Sequence, residues 1–375
     1  MIPMNKWARN AWRTLKLFSR QPVLWVRGVL MAISILGRPS RFHDTAASLC
    51  HLEWQEASRI QAVLTKTVFT PTAAEKWLIV TSVPPVLDRQ TDTMAQFTDT
   101  PPEAKATSMR DLSVFARPLL ILEIPKSKSS ASHALSLTLQ YGATLWSKHL
   151  MFGPPAQTVQ PLPGEQRAKY LRSTNMVDWD SKPFQVWLSS SGLRRRRDEF
   201  DILFAYRVLE ALVASGTYLV TPVPLRTASE VSRTLISDCG GFSLLFVAIL
   251  RANGSPARTL WGRWAVPEIQ ASTRLWHTKA EFFAAEVGWV PVDPSLAVMM
   301  RHPAAYFGQD QGDFLVLHEG SGLSFETPEF GLQMTGSQQS PFCWVSPAGR
   351  VNDALGDERW EVFVGNSPGT HQVMR

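Results

Sequence analysis

From residue 76 onward the apolar positions fall into two regimes, short alternating runs first and helical spacing later. "KWLIVTSVPPVLD" (76–88), "RPLLILEIP" (117–125) and "HALSLTLQYG" (133–142) are brief, β-branched or alternating, and predict strands. Turn-forming clusters, "TDTPPEAKATS" and "IPKSKSSAS", separate them as loops. The Pro-rich "FGPPAQTVQPLPGEQ" (152–166) marks a linker, after which the period changes. "FDILFAYRVLEALVASGTY" (200–218) carries apolar residues at helical spacing and stops at Gly216. In "FSLLFVAILRANG" (242–254), Phe242, Leu245, Phe246, Ile249 and Leu250 share one helical face before an Asn253-Gly254 stop. "WHTKAEFFAAEVGWVPVDP" (276–294) then reads as strand, turn, strand. The pattern predicts an α+β protein. Its parts are a segment over 1–41, a β-rich domain over 42–165, a mixed core over 166–330 and an extension over 331–375.

Composition changes little in this picture. Over 375 residues, 45% are hydrophobic and 19% charged, which fits a folded globular chain. Charge is more informative, because it is unevenly spread. Residues 1–41 contain eight basic and no acidic residues, so a formal net charge of +6 leaves −2 on the rest. The body is close to neutral and lacks an aromatic-interleaved basic stripe, which argues against nucleic acid as a partner.

Within the basic segment, Lys6, Arg9, Arg13, Lys16 and Arg20 recur at spacings of three and four, with Trp7, Ala11, Leu15 and Phe18 on another face. Residues 5–20 are therefore expected either to touch a membrane surface peripherally or to present a solvated helix face. "PVLWVRGVLMAISILG" (22–37) is split by Arg27, leaving an apolar run shorter than the roughly 20 residues a membrane-spanning helix needs. Export by a weak signal, peripheral attachment and translation starting at Met31 all stay open. Peripheral membrane or cytoplasmic placement is favoured over export.

Several chemistries are excluded or weakened. Cys50, Cys239 and Cys343 are isolated, so no zinc site or redox dithiol is expected, though a Cys50–Cys343 pair is possible. "RRRR" (194–197), followed by Asp198 and Glu199, reads as a solvated face. No Gly-rich phosphate loop appears. His133 and His149 read as surface or packing residues.

The stretch "SDCGGFSLLF" (237–246) places a cysteine and two glycines directly ahead of the buried helix. At a helix start, unpaired N–H groups and the macrodipole favour an anion, as a nucleophilic thiolate requires. Gly240 and Gly241 would leave backbone N–H groups open to a bound carbonyl. The alternative is a cysteine that only packs beside the helix start. Further on, a turn centred on Ala285 would set His277 directly across from Asp293 on one sheet face, within hydrogen-bonding reach. A carboxylate there would fix the imidazole tautomer and support its charge. An ordinary hairpin with an incidental polar pair is the competing reading.

Cysteine on a helix, then histidine and aspartate on a hairpin, resembles the transglutaminase-like superfamily, of papain-like fold class. The resemblance covers roughly residues 168–320 and rests on "DCGGFSLLFVAILRANGSPAR", "HTKAEFFAAEVGWVPVDPS", "AYFGQDQGDFLVL" and "KYLRSTNMVDWD". It implies Cys239 as nucleophile, His277 as general base and then acid, and Asp293 as the orienting residue. It also implies acyl transfer through a thioester on peptide or protein amides, with no metal or cofactor, and hydrolysis favoured over cross-linking. The alternative is an inactive module binding a peptide or cell-envelope polymer. Two departures stand out: Lys279 occupies a position commonly aromatic in the family, and two glycines follow the cysteine. Trp261, Trp264 and Trp276 could line a groove or pack in the core.

Overall fold

A computed structural model describes residues 50–69, 75–125, 134–153, 159–220, 226–267, 275–285, 287–346, 349–351 and 356–365. The basic segment over 1–41 and His133 lie outside the described residues. The strands begin with β1 (Cys50–Phe69), β2 (Lys76–Ser82), β3 (Gln90–Thr98), β4 (Lys105–Arg110), β5 (Pro118–Pro125) and β6 (Ala134–Phe152). Three helices follow, α1 (Gly164–Leu171), α2 (Lys182–Ser190) and α3 (Asp201–Ser215), then β7 (Thr217–Tyr218), α4 (Ala228–Thr234) and β8 (Ile236–Ser237). The centre of the core comprises α5 (Cys239–Ala252), β9 (Ala257–Trp264), β10 (Trp276–Ala284), β11 (Gly288–Val292) and α6 (Pro294–Met300). Last come β12 (Gln309–Asp310), β13 (Phe314–Glu319), β14 (Leu323–Thr327), β15 (Gly331–Thr335), β16 (Phe342–Ser346), β17 (Gly349–Arg350) and β18 (Gly356–Gly365).

Two antiparallel sheets make the β-rich part. One runs β12-β6-β1-β18 with β3 also on β6, and the other runs β17-β16-β2-β5-β4. From Ile60 onward β1 alternates, burying Ile60, Ala62, Leu64 and Val68. These residues share one apolar core with Ile79 and Leu122 of the second sheet, so the two sheets pack face to face. Lys66 falls on the same inward face and is 2% exposed; its Nζ donates to Ser340 Oγ and to the Pro341 carbonyl, which offsets the cost of burial.

The stretch from residue 331, expected as an extension, is integrated into these sheets. β16 pairs with β2, and β18 pairs with β1 over ten residues. The long strands β1 and β2 would otherwise present unpaired edges, and the returning chain covers them. Residues Ala47–Arg375 accordingly form one compact unit.

The core packs α5 against the sheet β11-β10-β9-β13. Every residue of α5 from Gly240 to Arg251 is buried, which explains why its sequence is apolar on all sides. Asn253 caps its C-terminus and Gly254 follows at φ +82°, as the Asn-Gly stop predicts. The run of arginines is structural in part: Arg195 binds the Glu199 carbonyl and the Asp201 carboxylate, bracing the entry to α3. His149 packs within the sandwich edge, its Nδ1 2.7 Å from Gln309 Oε1. None of the three cysteines is in a disulfide, and Cys50 and Cys343 are buried. No helix among the described residues is long and apolar enough to cross a membrane.

Candidate active site

Cys239 is the first residue of α5, held there by the cap that precedes it. The Asp238 carboxylate accepts the Gly241 N–H at 3.1 Å. The N–H groups of Cys239 and Gly240, in the first turn, have no intrahelical acceptor. Gly241 serves packing rather than substrate access. A Cβ there would meet Ser237 Oγ at 1.9 Å and Val231 Cγ2 at 3.0 Å, so only glycine lets β8 and α4 close on the helix start.

Cys239 is partly exposed, whereas its partners are not. His277 on β10 is 6% exposed and Asp293 5%. His277 Nε2 lies 2.6 Å from Asp293 Oδ2, which leaves Nδ1 for the Cys239 sulfur. Burial alone would push the imidazole down, yet the Asp293 charge and hydrogen bond, then those of Cys239, carry it up to about 9. For Asp293 the balance is the mirror image. Burial pushes the carboxyl up, but His277, the Lys279 charge and the Leu296 N–H hold it below the usual range. Both neighbours therefore favour the charged form of His277, which sits between a carboxylate and a sulfur.

The register differs from the one expected. Ala280 pairs with Val292 and Ala284 with Gly288, a shift of two residues in partner from the register of a turn centred on Ala285. The ladder ends before Asp293, which sits instead as the N-cap of α6. Its Oδ1 accepts the Leu296 N–H and the Ser295 hydroxyl, both at 2.9 Å. Because side chains alternate with period two, a two-residue change of partner keeps His277 and Asp293 on one face, and the carboxylate reaches back to the ring. "VDPSL", an Asp followed by Pro at the first helical position, is the signal that announces this cap.

Aromatic walls complete the site. Trp264 stacks on the His277 ring at 4.8 Å and 23°, and Phe314 meets it edge-on at 6.0 Å and 87°. Opposite His277 on β9 stands Gly262, where a Cβ would lie 1.9 Å from the Leu315 carbonyl oxygen. Gln339 Nε2 donates to the His277 carbonyl at 2.6 Å, a contact from a distant loop that the sequence does not reveal. Of the other tryptophans, Trp261 is a core residue, 2% exposed and stacked on His318. Tyr218 pairs in register with Ser237 on β8. Burial and the charges of Cys239, Asp238 and Asp293 push its hydroxyl up, so it stays a protonated donor near the sulfur. Among the described residues no cluster of side chains has the makings of a metal site.

The profile of the transglutaminase-like superfamily matches residues 194–294, a span that contains Cys239, His277 and Asp293. The chain carries a transglutaminase-like superfamily domain. No protein of curated function matches it. Among solved structures it is similar to a candidate cysteine protease from Cytophaga hutchinsonii, at 13% identity and TM-score 0.48, over 83% of this chain and 100% of that one. It is also similar to the periplasmic domain of TgpA from Pseudomonas aeruginosa, at 11% identity and TM-score 0.33, over 64% of this chain and 90% of that one. A third is a candidate protease from Parabacteroides distasonis, at 11% identity and TM-score 0.27, over 60% and 42% of the two chains. The transglutaminase-like domain follows β1–β6 in sequence and precedes β16–β18 of the same sheets, giving the α+β class expected.

Proposed function

We propose that this protein is a cysteine-dependent acyl-transfer enzyme that hydrolyses peptide-like amides through a thioester on Cys239. The observation that supports it is the buried His277–Asp293 pair, 2.6 Å apart, with Cys239 as a further neighbour of the imidazole. A thiolate beside an imidazolium attacks the amide carbonyl, forming a C–S bond while the carbonyl electrons move to oxygen. The first-turn N–H of Cys239 stabilises that oxyanion. Collapse breaks the C–N bond, and the His277 Nδ1 proton goes to the leaving amine. His277, now neutral, takes a proton from water. The hydroxide so formed attacks the thioester, the C–S bond breaks, and the acid product leaves with the thiolate restored. Asp293 keeps the ring oriented and its charge compensated throughout.

The test is the rate of iodoacetamide alkylation at each cysteine from pH 4 to 9, read by peptide mass spectrometry. Cys239 should react well below pH 7, where an ordinary thiol with pKa about 8.5 is slow, and His277→Ala should abolish that acid-side rate. Reaction of Cys239 only in step with Cys50 and Cys343 would sink the proposal and leave an inactive binding module.

A further inference from the structure

Two residues after His277, on the same face of β10, stands a lysine that the three-residue chemistry does not use. Lys279 is 6% exposed. Its Nζ donates to Asp310 Oδ2 at 2.9 Å and lies 3.6 Å from Asp313 Oδ1. The same ammonium sits 4.6 Å from the Trp264 ring centroid and 4.9 Å from that of Phe314. Those are the two rings that enclose His277. A buried ammonium is expensive, and an apolar side chain of similar volume would fill the space at less desolvation cost. What the lysine adds is a cation–π grip on both walls at once.

The grip is anchored outside the core sheet. Asp310 belongs to β12, which pairs with β6 of the sandwich, and it accepts from Arg89 Nη2 at 2.7 Å. Arg89 lies in the turn before β3, is 1% exposed, and places its own guanidinium 5.7 Å from the Phe314 centroid. A continuous chain of contacts thus runs from the sandwich through Arg89, Asp310 and Lys279 to the aromatic walls.

We propose that Lys279 is a positioning residue for His277, holding Trp264 and Phe314 against the imidazole and tying the histidine to the β-sandwich through Asp310 and Arg89. This rests on the reading of His277 as the general base. The charges that face Lys279 are Asp310 and Asp313, with Arg89 behind Asp310 and Asp293 beyond the ring. Its positive charge also acts on Asp293, favouring the carboxylate.

The test compares the full chain with Lys279→Met, Lys279→Gln and Lys279→Arg by two readouts. The first is the His277 Cε1–H resonance in ¹³C-histidine-labelled protein, assigned by its absence in His277→Gln. Stacking on Trp264 should shift it upfield. That shift should shrink in the Met and Gln variants and return in Arg. The second is Cys239 alkylation, whose rate at pH 6 should fall about five- to tenfold in Met and Gln and recover in Arg. Gln keeps a donor for Asp310, so it decides the matter if Met fails to fold. A folded Gln or Met variant with the wild-type resonance and wild-type pH profile would overturn the proposal. The resonance needs no chemistry at Cys239, so an unreactive wild-type cysteine would defeat the enzymatic reading while the Lys279 assignment still stood or fell on the spectrum.

Discussion

Asp293 holds His277 with one carboxylate oxygen and starts helix α6 with the other: Oδ2 is 2.6 Å from Nε2, and Oδ1 accepts the Leu296 N–H at 2.9 Å. The two duties separate by substitution. Asp293→Asn keeps a carbonyl for the cap but removes the charge beside the imidazole. It should leave the protein folded and cut the acid-side alkylation of Cys239. Asp293→Ala loses both duties. Breaking a buried pair costs about 3–5 kcal/mol, and losing a cap adds about 1 kcal/mol. Chemical denaturation should therefore rank wild type above Asn and Asn well above Ala. Equal stability of the two variants would show that the cap contributes nothing.

Stability should also carry the signature of His277 titration. Its folded-state value, about 9, lies above the ordinary unfolded value of about 6.5. A group raised on folding stabilises fully below the unfolded value and ceases to do so as pH rises through the folded one. The difference in unfolding free energy between wild type and His277→Gln should be largest near pH 6 and shrink by pH 10. A difference that stays constant over that range would mean the imidazole is not charged in the folded protein.

Gly241 predicts a packing defect next to the nucleophile. Its absent Cβ would stand 1.9 Å from Ser237 Oγ and 2.8 Å from Ser237 Cβ. Gly241→Ala should destabilise by about 1–3 kcal/mol, as overpacking does, and displace β8 from the helix start. Ser237→Ala removes the nearer atom only, so the double variant should recover part of the loss in thermal melts. No recovery would place the strain elsewhere.

Much of this architecture is legible in the sequence because it is local. The alternation in 117–125 and the apolar run after Cys239 specify their elements without help from the rest of the chain. The approach of His277 to Asp293 is legible through a hairpin motif, but its register is not, because Gly288 at φ +96° closes the loop one residue later than a turn on Ala285 would. What escapes the sequence is long-range. The strand partner of β1 lies some three hundred residues away in β18, and Arg89 meets Asp310 across 221 residues. No periodicity encodes such pairings. They arise only when edges and buried charges find partners in the folded chain.

The last prediction concerns the buried charges on the same face of β10. Glu281 is 0% exposed and faces Arg258 across the ladder, accepting from its Nη2 at 2.7 Å and its Nε at 2.9 Å. Arg89 and Lys148 approach the other oxygen at 3.9 Å and 3.7 Å. Arg258 in turn lies 4.1 Å over the Trp289 ring and reaches Glu319. Removing the anion takes a shared partner from three buried cations, leaving Arg89 to Asp310, Lys148 to Asp88 and Arg258 to Glu319. Glu281→Gln should therefore cost about 3–5 kcal/mol. Arg258→Met removes the closest of those cations, so the double variant should be less destabilised than the two single losses added together. A double-mutant cycle by urea denaturation measures this directly, and contacting charges should couple by about 0.5–3 kcal/mol. Strict additivity would mean that Arg258 is held by Trp289 and Glu319 rather than by Glu281, and that Arg89 and Lys148 are the true partners of the buried carboxylate.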